Sequence, residues 1–488
     1  MTEPRRKIAL GDLLEGLGDC GDASGIEIGG LALDARRLQA GDAFVALSGR
    51  QTHGMDYLAD AIQAGALAVI HDTNSRPPPD CPLPVVAVAG LKDHLPRLAR
   101  KVWGDMTDMD LLAVTGTNGK TSLAWLLAQA IDGAMIGTLG IGRPGRQESG
   151  WLTTPDILSV YRSLASLRDQ GLTRVVLEAS SHALDQQRLA GLELTTAIFT
   201  TLGHDHLDYH QDLKAYGQAK ARLFRDFVSQ RQIINLDDAF GKTLANELQD
   251  SSGRITYGVQ AGESVDVRGC LLSADSHGLR AELAIENQPL VVTSRLLGRI
   301  NLYNLMVVAA ELDARGRTPE QIGAAIRDLE PVPGRMQPVT GPQGRTVVID
   351  YAHTPDALEN VLGSLRELAS GQLWCVFGCG GDRDPVKRPR MGRVAESLAD
   401  QVILTDDNPR HENSLAIIRA IQAGMRNPQR CHVIPDRATA IRKALNLAGD
   451  SDLILVAGKG HETEQIVGER RLEFSDEAVV RQILEEAA

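Results

Sequence analysis

The sequence predicts an α/β protein of three domains: a small N-terminal α/β unit, a central P-loop parallel-sheet domain and a C-terminal Rossmann-like domain. Three observations predict it. The chain has 488 residues, enough for two to four cores at about 100–200 residues per domain. Short apolar runs alternate with helical patterns through the last two thirds, the mark of parallel sheets covered by helices. Those runs empty into polar or glycine-rich loops, where α/β sheets carry their functional groups. The expected domains are residues 1–104, 105–337 and 338–488.

In order along the chain, GLALDA, DAFVAL, ALAVIHD and PVVAVAG are the strands of the first unit, and TNSRPPPDCPLP is a loop. From Leu111, LLAVTGTNGKTSLAWLLAQAI reads as a buried strand, a glycine-containing turn and an apolar-periodic helix. RVVLEAS, TTAIFTT and RQIINLD are further strands. The Pro- and Gly-rich EPVPGRMQPVTGPQG (330–344) reads as a linker. After it, TVVID, LWCVF, QVIL, HVI and DLILVA alternate with helical segments.

Composition excludes several classes. Hydrophobic residues make up 43% and charged ones 23%, with a net charge of −12, so an anionic nucleic-acid backbone or membrane is not the expected partner. No apolar run reaches the roughly 18 residues of a membrane span, and the N-terminal stretch turns acidic before any signal-like apolar region, so the expectation is a cytoplasmic protein. Cys20, Cys81, Cys270, Cys375, Cys379 and Cys431 are scattered, as expected of reduced thiols rather than a disulfide frame or zinc site.

TGTNGKTS (115–122) follows an apolar strand and opens a helix, the context a phosphate loop requires. There the main-chain N–H groups of Gly116, Thr117, Asn118, Gly119 and Ser122 can cradle phosphates. Lys120 can neutralise the β/γ-phosphates, and Thr121 can offer a hydroxyl to Mg²⁺. The general motif places glycine where this chain has Val114. Glu178, closing RVVLE, is a hard-oxygen candidate for the same metal. His204, His206 and His210, with Asp205 and Asp208, suggest zinc at first sight.

The shortened loop TGTNGKTS resembles that of the Mur ligases and their folylpolyglutamate synthetase relatives. The resemblance runs end to end: LEASSHALDQQRL (177–189), TTLGHDHLDYH (200–210), YGQAKARLF (216–224), GRINLYN (298–304), PGRMQ (333–337), DYAHTPD (350–356), FGCGGDRD (377–384), DDNPR (406–410) and GKGHE (458–462) occur in family order. It implies a UDP-substrate-binding N-terminal domain, a central ATPase domain and an amino-acid-binding C-terminal domain. With LTTPD (152–156), the last two motifs point to the branch that adds meso-diaminopimelate to UDP-N-acetylmuramoyl-L-alanyl-D-glutamate. The implied reaction uses ATP, passes through an acyl phosphate and serves peptidoglycan precursor synthesis.

The same resemblance assigns residues. Lys120, Lys220, His206 and Glu178 are catalytic, with Thr121, Glu178, His206 and Lys220 as Mg²⁺ ligands, Lys220 after carbamylation by CO₂. Asn304, at a turn in GRINLYN, Arg335, Asp350 and His353 join the loop in binding ATP. A buried Asp capping the helix that follows is the alternative for Asp350. Thr153, Thr154, Ser180, Gln186 and Arg188 contact the muramoyl peptide. Ala35, standing where the family usually has Ser, Arg36, His53 and Gly54 belong to the uridine side, with the rest of GRQTHG (49–54). For the incoming amino acid the resemblance marks Arg383, Asp407, Asn408, Pro409, Arg410, Gly458 and Glu462.

A guanidinium can take a carboxylate bidentately, and diaminopimelate differs from lysine by one distal carboxylate, so Arg410 disfavours the lysine-adding branch. An unrelated P-loop ATPase coupled to transport or regulation is the alternative of another class. No nucleic acid or integral membrane contact is expected, and a monomer is.

Overall fold

The computed structural model describes residues 7–49, 52–74, 80–148, 150, 152–248, 253–261, 264–342 and 344–486. The chain forms two compact units, one of residues 1–116, 132–198 and 207–232, the other of 117–131, 199–206 and 233–488. None of the described helices is long and apolar enough to cross a membrane.

In the first unit, Leu31–Ala32, Ala43–Ala46, Ala68–Asp72 and Val85–Val88 form a parallel four-stranded sheet in that order. These are the four apolar runs read from the sequence. Ala35, Leu38, Phe44, Leu58, Ala61 and Val69 are packed into one core on it. Within the predicted loop 73–84, residues 75–79 lie outside the described ones.

The strand Asp110–Thr115, buried beyond its first residue and apolar from Leu111 to Val114, pairs in parallel with Arg174–Glu178, which pairs with Ala134–Gly137. Runs buried on both faces show no alternation, as expected of a parallel sheet covered by helices.

In the second unit the helix Lys120–Ala130 buries seven of its eleven residues. The hairpins Val267–Asp275, Gly278–Ile285 and Gln288–Ser294 form an antiparallel extension that the sequence reading did not anticipate. Its second turn places Glu286 and Asn287 at φ 47° and 67°, the geometry of a tight hairpin turn.

The C-terminal sheet runs Gln337–Thr340, Thr346–Asp350, Leu453–Ala457, Leu373–Phe377, Gln401–Leu404, His432–Val433. Only the first strand is antiparallel to its neighbour. That strand corrects the linker reading of 330–344: Val339 is buried against the sheet. Side chains alternate between two cores. Cys375 and Phe377 face the helices Pro355–Arg366, Lys387–Leu398 and Ser414–Gln422, while Trp374 and Val376 face Arg437–Leu447 and Asp476–Glu486. Cys375 and Cys379 are core thiols. Burial pushes both up, Cys379 to about 12, which suits inert thiols rather than metal ligands.

Strand order decides where function can sit. The last parallel strand, Leu453–Ala457, inserts between the first two, so the chain reverses direction across the sheet there. Ligands of open α/β sheets bind outside the carboxyl ends at such a point. Asp350 closes its strand there, and Gly458, the 378–384 loop and Asp407–Arg410 follow theirs.

Candidate active site

The phosphate loop leaves its strand at Gly116, φ 153°, and enters its helix at Gly119, φ 85°. In the first unit the Gly116 carbonyl accepts a hydrogen bond from Lys220 Nζ at 2.7 Å. Lys220 stands on the helix Leu213–Arg225, is 1% exposed and lies 4.2 Å from the Tyr216 ring centroid. Burial of a lysine in an amphipathic helix is the departure that separates it from a solvated one. A carbamate at Nζ would retain an N–H for the Gly116 carbonyl.

Glu178 ends its strand with a fully buried side chain. Thr138 donates to it twice, from N–H at 2.8 Å and from the hydroxyl at 3.2 Å, and a Cβ on Gly137 would collide with the carboxylate. These contacts fix the carboxylate in place, and its oxygens are the donor type a hard divalent metal takes.

Around Glu178 the peptide-contact candidates form one network. The Thr154 hydroxyl donates to the Glu178 carbonyl at 2.5 Å and accepts from Ser180 N–H at 3.1 Å, and Thr153 Oγ1 lies 3.0 Å from Thr138 Oγ1. Ser180 also caps the helix Ser181–Asp185. Arg188 donates to the Thr154 carbonyl at 2.6 Å and twice to Gln186 Oε1, whose amide donates to Tyr209. Burial pulls the Arg188 guanidinium below its usual range. Tyr209, which the sequence reading passed over, thus anchors Gln186; only its place in the HDHLDYH motif marked it.

His210 bonds the Ser181 hydroxyl at 3.0 Å, and among the described residues no group of three His, Cys, Asp or Glu side chains is arranged to hold a metal. The first-sight zinc reading is therefore not supported there. The side chain of Asp208 lies outside the described ones.

Among the uridine-contact candidates, Ala35 is buried in a 3-10 turn capped by Asp34. Arg36 folds back onto Asp34 at 2.7 Å while its side chain stays 83% exposed. His53 Nδ1 accepts from Met55 N–H at 3.0 Å. Gly54 packs so tightly that a Cβ would lie 2.7 Å from Ala46 Cα. Arg50 and Gln51 lie outside the described residues.

In the second unit, Lys120 Nζ donates to the Thr117 carbonyl at 3.0 Å, Thr117 N–H donates to the Thr201 carbonyl, and the Asn118 carbonyl accepts from Thr200 at 2.6 Å. Thr121 is buried in the first turn of the helix, next to Ser122. A Cβ on Gly119 would lie 3.9 Å from Asn304 Oδ1, so Asn304 approaches the loop. Asn304 is not at a turn as expected but inside the helix Arg299–Ala314, where apolar residues on nearly every face continue the helix through GRINLYN, and its amide donates to Asn301 at 2.8 Å. His206 sits at φ 53°, half exposed, with its N–H on Asp205.

Asp350 does not cap the following helix; Thr354 does. Its carboxylate accepts from Met336 N–H and Ala352 N–H, both at 2.7 Å, and burial holds it above the usual carboxylate range despite Arg335 and these donors. Arg335 stacks 4.3 Å from the Tyr351 ring centroid. His353 bonds the Tyr351 carbonyl at 2.8 Å. His461, pushed down to about 4 by burial and by Arg335, stays neutral; Tyr351 and His461 were not read from the sequence.

At the carboxyl edge, Asn-Pro sets a turn that leaves Arg410 at φ 49°. Its N–H donates to the Ile466 carbonyl at 3.0 Å and its guanidinium to the Gly381 carbonyl at 2.8 Å. A Cβ on Gly380 would lie 2.9 Å from Arg410 Nη1 and 3.6 Å from Arg383 Cγ, so both basic side chains flank this glycine. A Cβ on Gly381 would meet the Pro409 carbonyl, and one on Gly458 the Asp407 carboxylate at 2.6 Å. The three glycines let the loops meet. Asn408 donates to Glu462 Oε2 at 2.9 Å, and Lys459, fully buried, donates to the same oxygen at 3.0 Å. Lys459 was legible only as a member of GKGHE.

Three family models match successive spans of the chain. Residues 27–103 match the Mur ligase family catalytic domain, 114–312 the Mur ligase middle domain and 334–460 the Mur ligase glutamate ligase domain. A UDP-N-acetylmuramoyl-L-alanyl-D-glutamate–2,6-diaminopimelate ligase of Alkalilimnicola ehrlichii is 45% identical, covering 98% of this chain and 99% of its own. One of the same description from Xanthomonas campestris pv. campestris is 43% identical over 98% of both. A solved structure of a ligase so described superposes with a TM-score of 0.67 at 32% identity, covering 99% of each chain. Similarity of this depth along almost every residue leaves no room for a shared fold alone, and the chain belongs to the Mur ligase family.

Proposed function

We propose that this chain is an ATP-dependent, ADP-forming amide ligase that adds meso-diaminopimelate to UDP-N-acetylmuramoyl-L-alanyl-D-glutamate, working as a cytoplasmic monomer. The observation that carries this reading is the carboxyl-edge cluster, where Arg410 and Arg383 flank Gly380 and Asn408 and Lys459 hold Glu462. Cations for a carboxylate and an anion for an ammonium are what a zwitterion needs. A second, distal carboxylate gives Arg410 a partner that lysine lacks.

The chemistry follows from the substrates. The D-glutamyl carboxylate takes the γ-phosphoryl group of ATP, releasing ADP; the diaminopimelate amine attacks the acyl phosphate, and the tetrahedral adduct expels phosphate. Positioning and charge stabilisation supply most of the catalysis. Lys120 and the N–H groups of 116–122 take the phosphates. Asn304, Arg335, Asp350 and His353 take the rest of the nucleotide. Thr153, Thr154, Ser180, Gln186 and Arg188, already locked in one network, orient the peptide, and Ala35, Arg36, His53 and Gly54 the uridine side. Asp407, Pro409 and Gly458 shape the amino-acid pocket. Glu178 and Lys220, the latter as its carbamate, are the candidate Mg²⁺ ligands of the first unit, Thr121 and His206 those of the second. Bound Mg²⁺ would offset phosphate charge.

The test is phosphate release and product formation at saturating ATP and UDP-dipeptide. Release should require diaminopimelate, with lysine poorer by roughly 10⁴, and should vanish in Lys120→Ala. Equal use of lysine moves the chain to the lysine-adding branch. Release without any amino acid moves it to an uncoupled ATPase.

A further inference from the structure

Lys459 is fully buried behind the carboxyl-edge cluster. An ammonium has three N–H donors and no acceptor, and here each has one partner: Asn408 Oδ1 at 3.2 Å, Glu462 Oε2 at 3.0 Å and the Glu464 carbonyl at 2.6 Å. Asn408 Oδ1 also accepts from Ile466 N–H at 2.9 Å. With two donors aimed at that atom, the amide cannot flip, and its NH₂ must face Glu462. Ile466 in turn accepts from Arg410 N–H. Glu462 therefore has one oxygen taken twice, while its Oε1 makes no hydrogen bond among the described residues and its side chain is 33% exposed.

We propose that Lys459 is a positioning residue for the amino-acid substrate, fixing Glu462 and Asn408 so that Glu462 presents its remaining oxygen to the substrate ammonium in register with Arg410. The proposal rests on the reading of residues 408–410 and 458–462 as the diaminopimelate pocket. Lys459 does not touch the substrate; it sets the rotamer of the group that does, and so acts on amino-acid binding and not on the nucleotide.

The experiment is a double-mutant cycle in the full chain, Lys459→Met and Glu462→Gln singly and together, with KM measured for each of the three substrates. Lys459→Met should raise KM for diaminopimelate at least tenfold while KM for ATP and for UDP-dipeptide stay within twofold. In the Glu462→Gln background the same change should cost less than threefold, because the group it positions is already altered. Lys459→Gln, which keeps two donors, should fall between parent and Lys459→Met, and serves in its place if that variant does not fold. An unchanged KM for diaminopimelate, an equal rise for all three substrates, equal factors in both backgrounds, or failure of both variants to fold would overturn the proposal. A parent enzyme without diaminopimelate-dependent turnover would instead refute the reading of the pocket beneath it.

Discussion

The N-terminal segment around Asp34–Arg36 and the carboxyl-edge cluster around Asn408–Glu462 both carry charge, and they use it differently. Arg36 bonds a carboxylate two residues away, on the surface, and that bond holds Asp34 below the usual carboxylate range. The cluster joins groups more than fifty residues apart, with Lys459 and Arg437 wholly buried. Arg437 pairs bidentately with Asp476 and donates to the Asp406 and Ala457 carbonyls, the residues just before Asp407 and Gly458. Local charge pairs shape a turn; distant buried ones hold loops in register.

The largest effect that would sharpen this contrast is expected at Arg437→Met. It leaves Asp476 buried without its partner, which costs on the order of 3–5 kcal/mol; urea denaturation should show it, and a loss under 1 kcal/mol would put the cluster in the same class as the surface pair. Next comes Arg410→Ala. Its kcat/KM for diaminopimelate should fall by roughly 30-fold or more, the equivalent of at least about 2 kcal/mol, while thermal stability changes little. An unchanged preference over lysine would reduce DNPR to a turn.

Gly54→Ala tests the other region where it is tight. With a Cβ 2.7 Å from Ala46 Cα, it should lose about 1–3 kcal/mol by overpacking. Arg36→Ala should lose less than about 0.5 kcal/mol, the usual yield of an exposed pair; a larger loss would break the comparison.

The smallest effect concerns pH. His411 is bonded by Asp382 at 2.7 Å and Glu469 at 2.9 Å, both carboxylates, which raise its pKa. A raised folded-state pKa contributes stability that is fully present below the unfolded value near 6.5 and is lost as pH rises through the folded one. The melting temperature of the parent should exceed that of His411→Gln slightly at pH 6, with the gap closing at higher pH. A gap that widens with pH would contradict the ion pairing.

Most elements that depend on contiguous residues alone were determined by the sequence itself. The apolar runs, the phosphate loop and its helix, and the alternation that builds the C-terminal sheet depend on local periodicity and turn residues, and each formed as read. The hairpin of 278–294 escaped because its turn, Glu286–Asn287, lacks the usual glycine. Asn304 was misplaced because a glycine-led motif resembles a turn until its apolar faces are packed. Only the tertiary structure decided that Lys459 is buried, that Asp350 ties Met336 to Ala352 rather than capping a helix, and that Tyr209 and Tyr351 support Gln186 and Arg335. The physical reason is that burial and hydrogen-bond partners are properties of strand order: Leu453–Ala457 inserts between strands roughly a hundred residues earlier in the chain, and no local pattern records which loops that insertion brings together.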